Sequence, residues 1–175
     1  MPSKFLIVTE KHAPSAHQRD GGARVVQSLL KSLGENATIL QFSDDAMDVG
    51  LERLRYPHQH ADRFQRRLLN AEWVATQVSL AARDVTDVVF VHISMCFGSR
   101  KDNLAGKRVW LLPMLMGLSY RQSGEHVTEE YLQEERRCVM LADRIITPSH
   151  FEKRQLIEGY GAISERVKVI PRGIP

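Results

Sequence analysis

The segment DVVFVHI at 87–93 is apolar at consecutive positions rather than at alternate ones. A strand with one solvated face alternates, whereas a strand covered on both faces does not. FLIVT at 5–9 is a second run of this kind. Between such runs lie stretches with apolar residues at helical spacing, as at 25, 26, 29, 30 and 33. Buried strands alternating with amphipathic helices imply parallel pairing through right-handed crossovers. The expected fold class is α/β: an open, doubly wound parallel sheet of the Rossmann-like type.

Element boundaries follow from the same patterns. Strands are expected at Phe5 to Thr9, Ala37 to Phe42, Asp87 to Ile93, Lys107 to Leu112, Arg144 to Thr147 and Val167 to Ile170. Helices are expected at Gly22 to Leu33, stopped by Gly34, and over one long stretch from Ala61 to Arg83. Thr128 suits the N-cap of a helix reaching Leu141, and Ser149 the cap of another reaching about Tyr160, ended by Gly159 and Gly161. SDDAMDVGLERLRYPHQH, from 43 to 60, is polar and aperiodic and reads as a loop with one helical turn. EEYLQEERR, from 129 to 137, reads as a solvated helix face carrying i,i+4 charge pairs.

Composition excludes several classes. With 43% hydrophobic and 26% charged residues over 175 positions, the chain is an ordinary globular domain. A net charge of +3 is too small an excess to argue for nucleic acid. Cys96 and Cys138 have neither metal-ligand spacing nor a disulfide framework, which fits a reducing cytoplasm. The apolar run near the N-terminus stops at Glu10, so it reads as a strand and not as a signal peptide. No apolar stretch approaches the roughly 18 residues of a membrane span.

In a doubly wound sheet, ligands bind beyond the carboxyl ends of the strands. RDGGAR places Gly21 and Gly22 at the mouth of the first helix, where free N–H groups and the helix dipole attract phosphate oxygens. The same pair also reads as a plain turn, and it is not the G-x-G-x-x-G dinucleotide fingerprint. His92 ends the most β-rich strand and is expected on the same rim. There it would hydrogen-bond a sugar hydroxyl or act as an acid or base, with a structural histidine as the alternative. HQH at 58–60 offers two ligands and no third, so no metal site is expected. The rim from Pro113 to Glu125 supplies Tyr120 as an apolar face and Arg121 and Glu125 as directional polar groups. These would line an acceptor cleft with the loop after Glu10, or else form an ordinary surface loop.

Two stretches carry a resemblance. KFLIVTE followed by GGARVVQSLLKSLGE resembles the opening of the GT-B-class glycosyltransferases of family four, which retain anomeric configuration. LADRIITPSHFEKRQLIEGYGAISERVKVIPRGIP resembles the close of that family's first domain, and DVVFVHIS its fourth-strand histidine. The resemblance implies that residues 1–170 form the acceptor-side domain. Residues 171–175 would then begin the crossing to a donor-binding second domain outside this chain.

The resemblance also implies roles. Gly21 and Gly22 would face the donor phosphate, and His92 would stand at the catalytic centre. Ser149 and Arg172 would lie near the cleft, and Tyr120, Arg121 and Glu125 on its acceptor side. The middle, LLPMLMGLSYRQSGEHV, departs from the common family pattern and resembles one branch with a Tyr and an acidic residue in this loop. No cofactor or metal is expected, since the donor is a nucleotide sugar and the protein supplies the positive charge. Implied partners are a donor-binding C-terminal domain in cis or trans, that donor, and a sugar or other small acceptor. Weak association with a membrane surface stays open. Two alternatives also remain: half of a sugar-nucleotide epimerase, and a non-catalytic sugar- or partner-binding module.

Overall fold

Seven strands pair in the order β3-β2-β1-β4-β5-β6-β7, and every pairing is parallel. The computed structural model describes residues 4–10, 21–43, 54–114 and 116–171. The strands are β1 (Phe5–Thr9), β2 (Ala37–Ser43), β3 (Leu54–Arg55), β4 (Asp87–Val91), β5 (Arg108–Leu112), β6 (Arg144–Thr147) and β7 (Val167–Val169). The helices are α1 (Gly21–Leu33), α2 (Arg63–Leu69), α3 (Ala71–Ala81), α4 (Gly117–Gln122), α5 (Glu129–Leu141) and α6 (His150–Tyr160). The expected open, doubly wound α/β sheet is the fold observed.

The two continuous apolar runs pair with each other at the centre, Phe5 opposite Asp87 through Thr9 opposite Val91. All five residues of β4 are buried, as a strand covered on both faces requires. One face carries the larger core, with Phe64, Val78, Phe90, Phe97, Leu111, Tyr131 and Leu156 among its members. The other carries a small cluster in which Ile7, Val89 and Val91 meet Val26 of α1. Among the described helices, α1 alone packs on that second face; the others contribute to the first.

Four expectations need correction. The stretch from Ala61 to Arg83 is two helices, not one. Asn70, fully buried, turns its side chain onto the backbone, donating to the carbonyls of Arg66 and His58 and accepting from the His58 N–H. Such local bonds compete with the helical ladder and break it. The segment read as loop contains the edge strand Leu54–Arg55, paired to Phe42 and Ser43; residues 44–53, where the helical turn was expected, lie outside the described residues. Strand β4 stops at Val91, because His92 adopts φ +94° and the chain enters a single 3₁₀ turn over 93–96. Gly159 lies within α6, and Gly161, at φ +75°, is the residue that ends it.

The charged run of α5 is also not simply solvated. Glu135 is fully buried and Glu134 is 9% exposed. Glu134 accepts from the Gly98 N–H and pairs with Arg100 and Arg137. Both Glu135 oxygens accept from the Gly117 N–H, at 2.9 and 3.0 Å, and the Tyr160 hydroxyl donates to one of them at 2.6 Å. The Tyr160 oxygen in turn accepts from the Leu118 N–H. A carboxylate on α5 thus closes the start of α4.

Burial pushes the Glu135 carboxyl up against these hydrogen bonds and Arg67, from an ordinary 4.5 to about 7. Between those values the folded chain holds a proton that the unfolded chain has released. The Glu135 contribution to stability is therefore complete below about pH 4.5 and falls by roughly 3 kcal/mol as pH rises to 7. In Glu135→Gln, urea unfolding at several pH values should show that slope removed.

Candidate active site

The carboxyl ends of the strands form one rim of the sheet, and α1 begins there with Gly21 and Gly22, the latter buried. Beside α1 runs a groove of about 770 Å³. Arg24 and Ser28 of α1 line one side, with Met114, Thr147 and Pro171, from the ends of β5, β6 and β7, on the other. The rim positions expected after these strands, Pro113, Pro148 and Pro171, all border this groove.

His92 sits at the end of β4 as expected, but the ring is covered rather than open, with 2% of the residue exposed. The cause is local. Its N–H donates to the Leu112 carbonyl, and the residue then caps the 93–96 turn, its Nδ1 accepting from the Ser94 N–H. Among the described residues, His92 is the one non-glycine with a positive φ. Such backbone costs about 1–3 kcal/mol and persists only where the surroundings enforce it.

A buried charge cluster lies at the same end of the sheet. Glu10, the residue following β1, pairs with Arg67 of α2 at 2.9 Å. It also accepts from the Tyr56 hydroxyl at 2.7 Å, while Arg67 donates to the Tyr131 hydroxyl at 3.2 Å. Burial works to raise the Glu10 carboxyl, but Arg67, then His92, and the Arg67 and Tyr56 hydrogen bonds outweigh it and hold it at about 2. Both partners are therefore charged at neutral pH.

The three residues expected on the acceptor side divide. The Tyr120 ring, on α4, packs edge-on to Phe64 at 5.5 Å, with the Arg63 guanidinium 4.3 Å from its centre. Glu125 pairs with that same Arg63. Tyr120 and Glu125 are thus brought together through α2, both partly open to solvent. Arg121 turns the other way, donating to the Val127 carbonyl and to Glu129 at the start of α5. Ser149 caps α6 by accepting from the Glu152 N–H. Arg172 and the loop after Glu10 lie outside the described residues.

A family model for glycosyltransferase family 4 matches residues 19–175. The chain belongs to glycosyltransferase family 4. Two solved structures share the fold of this family 4 domain. One is the lipopolysaccharide outer core galactosyltransferase WaaB in its apo form, at 14% identity and a TM-score of 0.63, covering 97% of this chain and 46% of that one. The other is a glycosyltransferase from Rickettsia africae ESF-5, at 14% identity and a TM-score of 0.50, with 99% and 44% covered. The chain thus spans less than half the length of either. No curated protein sequence matches it. Among the described residues, no helix is long and apolar enough to cross a membrane.

Sequence reasoning passed over Glu10, Arg67 and Tyr131 in this family 4 domain. A signal was present: Arg67 lies three residues after Phe64 and beside Leu68, on the apolar side of α2. A cation on a buried face implies a buried anion.

Proposed function

We propose that this family 4 domain is the acceptor-binding half of a glycosyltransferase that moves a sugar from a nucleotide-sugar donor to an acceptor with retention. A second domain, in cis or trans, supplies the nucleotide site. The observation that carries the reading is the start of α1. Gly21 and Gly22 open that helix on the rim where β4 ends at His92, within the span matched by the family model. Departure of a diphosphate builds negative charge, and the N–H groups of the first helical turn meet it without a Cβ in the way. The sugar develops oxocarbenium character, which a positioned hydrogen bond from His92 would orient. Because protein dipoles meet the leaving charge, no metal is called for.

The test is to incubate the chain, alone and together with a donor-binding domain, with a panel of nucleotide sugars and an acceptor, measuring nucleoside diphosphate release and the anomeric configuration of the product. The chain alone should release none, and the combination should give a product of retained configuration. Sustained turnover by the chain alone, or inversion, would sink the reading.

The acceptor side is tested separately. Tyr120 and Glu125, joined through Arg63, form the partly open wall for a sugar ring. In the combined protein, Tyr120→Ala and Glu125→Ala should each raise the acceptor KM about tenfold while leaving the donor KM in place. Equal changes in both constants would remove the two residues from the acceptor side.

A further inference from the structure

Arg63 opens α2, one helical turn before Arg67. Residues four apart share one side of a helix. Arg67 reaches inward from that side to Glu10, and Arg63 stands at its outer end, with 41% of the side chain exposed. The Arg63 guanidinium carbon lies 4.3 Å over the centre of the Tyr120 ring and 4.8 Å over that of Phe64. Those two rings meet edge-on at 5.5 Å. Stacking of this kind fixes the plane of a guanidinium. It also closes that face of Tyr120 to a sugar ring, so what the wall offers there is the edge of the guanidinium.

Nη2 of Arg63 donates to Oε2 of Glu125, whose side chain is 42% exposed. A guanidinium carries five N–H donors and a carboxylate two acceptor oxygens. Among the described residues nothing else bonds Nε or Nη1 of Arg63, or Oε1 of Glu125. The pair thus presents donors beside acceptors with no net charge. Arg66 and Arg67, the other cations of α2, are matched in number by Asp62 and Glu10. An anionic sugar would meet a cation already neutralised and a carboxylate of its own sign beside it. A hydroxyl both donates and accepts, so two adjacent hydroxyls on a ring satisfy one partner each.

We propose that Arg63, paired with Glu125, is a specificity-determining residue that selects an uncharged acceptor sugar by a vicinal pair of hydroxyls. This rests on the reading of Tyr120 and Glu125 as the acceptor wall, and it names the class of sugar that the wall takes. One hydroxyl accepts from the open N–H groups of Arg63 while its neighbour donates to Oε1 of Glu125. Tyr120 acts through Arg63, by holding the guanidinium plane.

The experiment titrates the 15N-labelled chain with the methyl glycosides of glucose, galactose and mannose, following the amide signals of residues 63–64 and 120–125. Each sugar is compared with its uronate and with the analogue lacking the middle of the three ring hydroxyls, a loss that removes every vicinal pair. At least one neutral glycoside should move these signals, and its uronate and its deoxy analogue should bind about tenfold more weakly. Glu125→Gln leaves the Arg63 charge unmatched and should reverse the preference, the uronate then binding more tightly than the neutral sugar. Arg63→Met should weaken the neutral glycoside about tenfold, and Arg63→Lys, which keeps the charge without the planar fork, should not restore it. Both side chains are partly exposed, so these variants should keep the parent melting temperature. A uronate or deoxy analogue bound by the unaltered chain as tightly as the neutral parent would overturn the proposal. So would an unchanged charge preference in Glu125→Gln. Those results leave the acceptor wall standing, because sugar still moves its signals. Glycosides that move none of these signals would overturn the acceptor-wall reading, and the proposal with it.

Discussion

Arg67→Met should destabilise the chain by about 3–5 kcal/mol at pH 7, the cost of leaving a buried carboxylate without its counter-charge. Glu10 would keep the Tyr56 hydroxyl, but its ion pair would be gone, and the Tyr131 hydroxyl would lose its donor. The acid side of the stability curve should change shape as well. In the unaltered chain Glu10 is held at about 2 against an ordinary 4.5. Its contribution is complete above pH 4.5 and is lost as pH falls from there toward 2. In Arg67→Met that decline should flatten. Removing both charges, as in Glu10→Met with Arg67→Met, should recover much of the loss, because the desolvation penalty goes with them. Urea midpoints for the single and double variants close the cycle. A single variant as stable as the parent would show that the pair contributes nothing.

His92→Asn should separate scaffold from chemistry. Asparagine tolerates positive φ better than alanine, and its side-chain oxygen can still accept from the Ser94 N–H, so the cap survives. The stability cost should stay within about 2 kcal/mol, mostly from the smaller side chain. Turnover in the combined protein should nevertheless fall on the order of 10²-fold, the scale of a positioned electrostatic group. His92→Ala is the poorer probe, since it loses the cap and opens a cavity in a covered site. A His92→Asn protein with ordinary kcat would make the residue structural.

What could be read from the sequence was whatever depends on neighbours along the chain. The β4 run announced a strand buried on both faces because no position in it is soluble. Thr128 and Ser149 announced helix starts because a cap bonds three residues ahead, and both do so here. The failures have a common cause in long-range pairing. Helix α4 has no side-chain cap of its own; its first N–H is met by Glu135, 18 residues onward. Neither the helix nor the burial of that glutamate is visible until α4 and α5 are packed together. The Glu10–Arg67 pair joins residues 57 apart, and each alone reads as a surface charge. At the site, the rim position of His92 was legible from the end of its apolar run, whereas its positive φ belongs to a turn that begins only after it.

The unequal covering of the two sheet faces bears on motion. Helix α1 is held by a cluster whose fully covered members number four, while α3, α5 and α6 share one large core. Units with fewer buried contacts open at lower free energy than the body they rest on. Amide protons of α1 should therefore exchange with solvent faster than those of α5, through local release that leaves the main core closed. The helix whose first residues are Gly21 and Gly22 would then be the most yielding wall of the groove it borders.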